Sequence, residues 1–253
     1  MTLNRDQVVH EMGLGPVWKL HTAPGSVADV MSADLPAAVV PVSEVVAQIA
    51  PLSALAGMGW DELVPAVAAC RQCRLCEARK QAVLGVGDVN ADWLFVGEGP
   101  GAEEDQRGEP FVGQAGRLLD SMLAAIGLKR GKDVYIANAV KCRPPQNRTP
   151  EPEEAAACRP YLERQIELIQ PKLIVALGRP AAQTLLQAEV RIAAARGKLH
   201  DYRGIPLIVT YHPAYLLRTL LDKAKAWEDL CFMRRSMAER KAGLAASSTG
   251  EGG

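Results

Sequence analysis

Aromatic residues are scarce in this chain, at 5% of 253 residues, while hydrophobic residues reach 48%. That balance suits an α/β protein built on Ala, Val and Leu. Net charge is also missing, because 29 Lys and Arg offset 29 Asp and Glu. Overall charge therefore makes no case for a polyanionic partner, although a local basic face would still be compatible with nucleic acid. No apolar run approaches the length of a membrane-spanning helix, which excludes such a span. The opening MTLNRDQVVHEMG has no basic segment followed by an apolar core, so no secretory signal is expected and the sequence reads as cytoplasmic. In that setting six cysteines point to metal binding or catalysis before disulfides.

Proline recurs through residues 1–65, at Pro16, Pro24, Pro36, Pro41 and Pro51, and this stretch reads as a poorly ordered extension. A folded domain is expected over 66–241. The tail, 242–253, ends in the Gly/Ser-rich GLAASSTGEGG and reads as disordered. Within the domain, strand-like apolar runs at 92–97, 133–138, 172–178 and 206–211 alternate with helical patterns near 115–126, 152–169, 180–187 and 223–240. Such alternation predicts one α/β domain with a mostly parallel four-stranded sheet and helices on both faces. In a parallel sheet the segments after each strand share one rim, where open α/β sheets hold ligands. Those segments are the GEGPG loop, Asn138 with KCRPPQNRTP, GRPAA, and His212-Pro213.

The stretch from Asp92 to Gly116 is the most informative. An apolar strand stops at Gly97 and enters a loop rich in glycine and carboxylates before a helix begins near Gln114. Glycine lets backbone N–H groups approach a ligand, and Glu98, Glu103, Glu104 and Asp105 are candidate acids, bases or water-orienting groups.

Cys70 and Cys73 form a C-x-x-C, with Cys76 three residues on; Cys142 and Cys158 follow far downstream. Zinc would take Cys70, Cys73, Cys142 and Cys158 as a four-cysteine site, but structural zinc usually draws its second pair from another tight knuckle. Thiolates gathered from distant segments equally suit an iron–sulfur cluster. Spacing alone leaves both open. Cys231, in the apolar WEDLCFM, reads as a buried small residue.

Four motifs in order, GEGPGAEED (97–105), EPFVGQAG (109–116), NAVKCRPPQNRTP (138–150) and HPAYLLR (212–218), together with the cysteines, resemble the family 4 iron–sulfur uracil-DNA glycosylases over about 68–238. The resemblance implies a [4Fe–4S] cluster on Cys70, Cys73, Cys142 and Cys158, with Cys76 outside the required pattern although it forms a second C-x-x-C with Cys73. It implies that uracil is flipped out of DNA, stacked on Phe111 and read by Asn138, whose amide offers the acceptor and donor that uracil N3–H and O4 need. Gly99 stands in the same pocket, where the family 1 enzymes carry a water-activating Asp. His212 resembles the donor to the uracil O2 as negative charge develops there. Glu98 and then Glu104 are the candidates for holding the hydrolytic water.

For DNA, Arg143, Arg148 and Arg218 are the expected phosphate contacts, with Lys141, Arg196 and Lys198 near the same rim. The implied activity is monofunctional hydrolysis that starts base excision repair, with uracil-containing DNA as partner, free uracil as product and a monomeric enzyme. No motif lysine is available to form a Schiff base, and KCRPPQNRTP lacks the histidine of the covalent-trapping branch. Two rival readings are a non-catalytic iron–sulfur DNA-binding module and a redox carrier.

Overall fold

The computed structural model describes residues 57–249 together with Leu55, all within a unit spanning Val45–Gly253. Most of the segment read as an extension, and the last residues of the tail, lie outside the described residues. Helix α1 (Trp60–Ala69) begins within 1–65, and Leu63 is fully buried.

The strands are β1 (Val86–Gly87), β2 (Trp93–Gly97), β3 (Val134–Asn138), β4 (Leu173–Leu177), β5 (Leu199–Tyr202) and β6 (Ile205–Thr210), ordered β1-β3-β2-β4-β6-β5 in one sheet. The central strands β3, β2, β4 and β6 are parallel and coincide with the four apolar runs. The sheet has six strands rather than four, because β1 and β5 add antiparallel edges. Both escape sequence patterning for a physical reason. β1 is two residues long, and β5 reads LHDY with mostly solvent-facing side chains, as an edge strand allows.

Every residue of β2, β3 and β4 is buried, as expected of parallel strands covered on both faces. Alternation divides their side chains between two layers. Leu94, Val96, Ala137, Ile174 and Val209 face α5 (Pro152–Ile169) and α6 (Arg179–Leu186). Phe95, Ile136, Val175 and Ile208 face α4 (Gln114–Ala125) and α9 (Lys223–Thr249). Helix α9 runs through positions assigned to the tail, reaching Thr249. A third cluster packs α1 and α2 (Leu75–Ala78) through Leu63, Val67 and Leu75 against Val140, Cys142, Cys158 and Tyr161. The N-terminal cysteines thereby meet the loop after β3. Short helices α3 (Ala102–Arg107), α7 (Ile192–Ala195) and α8 (Pro213–Arg218) frame the rim.

Strand register fixes that rim. Gly97 stands opposite Asn138, and Leu177 opposite Thr210, so the loops after all four parallel strands start at one level.

Candidate active site and cysteine pocket

A cavity of about 840 Å³ opens on this rim, and Glu98, Gly99, Glu104, Phe111, Asn138 and His212 all line it. The volume lies in the range of small-molecule sites and is ample for a base and its sugar.

Asn138, the last residue of β3, is 2% exposed, and its Oδ1 has no hydrogen-bond partner among the described residues. A buried amide oxygen left unpaired is costly unless a ligand supplies the donor. Facing it, Gly97 leaves no room for a side chain: a Cβ there would sit 2.5 Å from both Asn138 Oδ1 and the Phe111 ring. Gly97→Ala should therefore push the ring and the amide apart and lower kcat/KM for any base at least tenfold, on the order expected when a bound group is misplaced by an ångström. Overpacking this buried strand should also cost about 1–3 kcal/mol of stability, and a fall in kcat/KM of the folded variant beyond that loss is the predicted pattern, checked by thermal unfolding beside a steady-state assay.

Phe111 holds a backbone conformation with φ +55°, which β-carbon-bearing residues rarely adopt. Such strain persists only where the surroundings over-determine it. Arg130 Nη1 and Nη2 donate to the Pro110 and Phe111 carbonyls, each at 2.9 Å, and its Nε donates to Asp120. From the other side, Glu104 accepts from the backbone N–H of Val112 at 2.9 Å and of Gly113 at 3.1 Å, and also from that of Gly101. Helix α4 approaches through Gly116, where a Cβ would overlap the Phe111 carbonyl. The Glu104 carboxylate is thus engaged by three amides, two in the Phe111 turn and one at the start of α3. Asp105 is likewise structural: buried, it accepts from the Lys80 N–H at 2.9 Å and ties α3 to the cysteine segment. Glu103 is exposed.

His212 caps α8, its Nδ1 accepting from the Ala214 N–H at 3.1 Å. An acceptor at Nδ1 places the proton of the neutral ring on Nε2, leaving that nitrogen as a donor. Burial, with Arg218 nearby, pushes the imidazole down to about 4, so the ring is neutral at physiological pH. Its ring centroid lies 5.5 Å from that of Phe111. Gly178, at φ +89°, lets the β4–α6 turn pass close to the His212 side chain. Burial also raises the Glu98 carboxyl, against a hydrogen bond with Thr149 and the charge of Arg179.

The cationic candidates separate. Arg218 lines the cavity and has no ion pair among the described residues. Arg148 also lines it but pairs through both terminal nitrogens with Glu154, at 2.8 and 2.7 Å. Arg143 bonds Asn147 Oδ1 at 2.7 Å and is not a cavity residue. Arg196, which ends α7, is tied to Asp229, Glu228 and the Lys225 carbonyl, and so braces that segment against α9. Lys141, grouped by sequence with the phosphate contacts, is 1% exposed and points inward.

On the far side of the β3 loop a small pocket is lined by Cys70, Cys73, Cys76, Cys142 and Cys158. Two of the sulfurs there accept hydrogen bonds, as the sulfurs of metal-held thiolates do. Arg79 Nη1 donates to Cys142 Sγ at 2.8 Å, and the Lys141 N–H to Cys158 Sγ at 3.2 Å. Without a bound cation, burial pushes the Cys142 thiol up to about 11 and the Cys158 thiol up to about 12. Lys141 makes no ion pair with a carboxylate among the described residues, and burial pushes its amine down to about 8 while Cys158 and Cys142 act the other way. A buried ammonium with only a carbonyl and neutral thiols for company is costly; one beside metal-held thiolates is compensated. The donor set therefore fits an anionic thiolate cluster. All five cysteines line the pocket, with Cys142 and Cys158 buried and Cys70, Cys73 and Cys76 half-buried. Cys231, half-buried on α9, is remote in sequence and absent from this pocket.

Arg79, Arg130 and Arg179 were not singled out by sequence. Arg130 lies 19 residues from the carbonyl it holds, and no local pattern marks it.

The model of the uracil DNA glycosylase superfamily matches residues 84–231. The type-4 uracil-DNA glycosylase of Archaeoglobus fulgidus is 48% identical over 165 residues, covering 62% of this chain and 82% of the relative. That of Thermotoga maritima is 50% identical over 151 residues, covering 59% and 78%. The type-4 enzyme of Pyrobaculum aerophilum is 42% identical over 181 residues, covering 68% and 92%.

Proposed function

The chain belongs to the uracil DNA glycosylase superfamily, alongside its type-4 members, and from that premise we propose that it excises uracil from DNA by hydrolysing the N-glycosidic bond. The observation that carries this reading is the buried, unpartnered Asn138 Oδ1 beside the Phe111 ring. Uracil turned out of the base stack recovers its unstacking cost by stacking on Phe111 and by pairing N3–H and O4 with the Asn138 amide. Cytosine presents the reverse donor and acceptor pattern and would leave the amide unpaired.

Cleavage develops positive charge on the sugar and negative charge on uracil O2. His212, neutral and protonated on Nε2, donates to that oxygen without giving up its proton. Glu98, beside Gly99 in the cavity wall, orients the attacking water. Glu104 acts one step back, as a positioning residue for the Phe111 turn. No lysine lines the cavity among the described residues, which supports water rather than an amine as the nucleophile. Arg218 and Arg143 meet backbone phosphates, and Arg148 braces the loop of Arg143 on α5 at the cavity wall. Cys70, Cys73, Cys142 and Cys158 hold a [4Fe–4S] cluster. When bound, the cluster supplies a covalent tie between the N-terminal cysteine segment and the β3 loop, and the negative charge that Lys141 faces. The enzyme works as a monomer in the cytoplasm, leaving an abasic site for repair and releasing uracil; no helix among the described residues is long and apolar enough to cross a membrane.

Asn138→Asp tests this. A carboxylate cannot donate to O4, so uracil excision should fall by about 10- to 100-fold, the cost of an unpaired buried polar group. The preference for uracil over cytosine in matched oligonucleotides should narrow. Unchanged selectivity removes Asn138 from the pocket.

A further inference from the structure

We propose that Lys141 is a positioning residue that joins the cysteine pocket to the base-reading residue, by holding the main chain of Asn138 while its own charge is balanced by the cluster thiolates. The inference rests on the reading of Asn138 as the uracil contact. Lys141 is among the most deeply buried side chains of the described residues, yet it ends in an amine and neither lines the cavity nor pairs with a carboxylate among them.

Its Nζ donates to the Asn138 carbonyl at 2.8 Å. That carbonyl is the last of β3, where the ladder to β2 ends and β1 no longer reaches. The next amides, of Ala139 and Val140, turn back to the Gly97 and Glu98 carbonyls. Buried and beyond the ladder, the Asn138 carbonyl needs a donor, and Lys141 supplies one. The same residue is fixed from below, since Val83 donates its N–H to the Lys141 carbonyl at 2.7 Å and the Lys141 N–H donates to Cys158 Sγ. Its neighbour Cys142 is a cluster ligand in this reading. One five-residue span, Asn138 to Cys142, thus carries the base contact at one end and a cluster ligand at the other.

Why this bears on uracil follows from the Asn138 side chain. Its Oδ1 has no protein partner among the described residues, so no hydrogen bond to that oxygen aims it. Aim is left to the backbone frame, which Gly97 sets by close approach and Lys141 by its bond. Loosening that frame weakens recognition of the base without touching base, sugar or phosphate.

The test is equilibrium binding to two oligonucleotides, one carrying a single 2′-fluorinated deoxyuridine, whose glycosidic bond resists cleavage, and one with thymidine in its place. Iron content is measured on the same samples. Lys141→Met should keep its iron, bind the thymidine strand as wild type does, and lose about tenfold in affinity for the fluorinated uracil, as expected for one buried charge-assisted hydrogen bond. In an Asn138→Ala background the same substitution should cost nothing further. Lys141→Gln, which keeps a donor without the charge, should fall between wild type and Met, and it serves if the Met variant does not fold. Wild-type uracil affinity in both variants overturns the proposal. So does a loss that persists at full size in the Asn138→Ala background, or one that tracks iron content alone. A wild-type protein that does not prefer the uracil strand instead overturns the excision reading on which the proposal stands.

Discussion

Replacing His212 with Ala should lower kcat for uracil release by about 10²- to 10³-fold, the range found when one oxyanion donor is removed. Loss of a donor to developing charge acts on the transition state, so KM should change little. Steady-state kinetics on a single-uracil oligonucleotide separates the two, and an equal rise in KM with kcat preserved would place His212 in ground-state binding instead. The pH dependence is equally specific. A histidine that worked as an acid would titrate between about pH 5 and 8. Here burial holds His212 down at about 4, so no histidine limb is expected across that range. The same shift acts on stability. In the unfolded chain His212 takes up a proton near its ordinary pKa of about 6.5, whereas the fold keeps it neutral down to about 4. The unfolded state binds the extra proton in between, so the His212 contribution to stability is lost as pH falls through that window, and His212→Asn should flatten that part of the curve.

Cys142→Ala carries the second large effect. It removes a sulfur to which Arg79 donates, and on the proposed ligand set it leaves the buried Lys141 short of a counter-charge. Breaking a buried charge arrangement from one side costs roughly 3–5 kcal/mol, which for a domain of this size lowers Tm by about 10 °C or more. Iron and visible absorbance should be lost in the same variant. Cys76→Ala, by contrast, should keep both. Full iron content in Cys142→Ala would exclude Cys142 as a ligand, and loss of iron in Cys76→Ala would move the ligand set toward Cys76.

The framework of the fold was legible because its four central strands are buried on both faces and therefore appear as unbroken apolar runs, as in WLFVG and LIVAL. The edges were not, since β1 and β5 need only backbone pairing and carry no apolar code. The rim was legible as a set of loops, and Glu98, Phe111, Asn138 and His212 do line one cavity. What sequence could not separate was a carboxylate that faces the cavity from one consumed by backbone: Glu98 and Glu104 look alike in GEGPGAEED, yet three amides hold Glu104. Nor could it tell an inward lysine from an outward arginine in KCR, because Lys141 and Arg143 differ only in what the fold wraps around them. Long-range clamps such as Arg130 on the Phe111 turn leave no local pattern at all.

The most direct test of the account is base release from an oligonucleotide with one uracil, using protein loaded with its cluster, followed by alkaline cleavage at the abasic site. The account predicts catalytic release of free uracil by the wild-type protein, release of neither thymine nor cytosine from matched strands, and loss of activity in the paired Glu98→Gln, His212→Ala variant. Salt-sensitive DNA binding with every uracil left in place would contradict it and return the chain to a binding module.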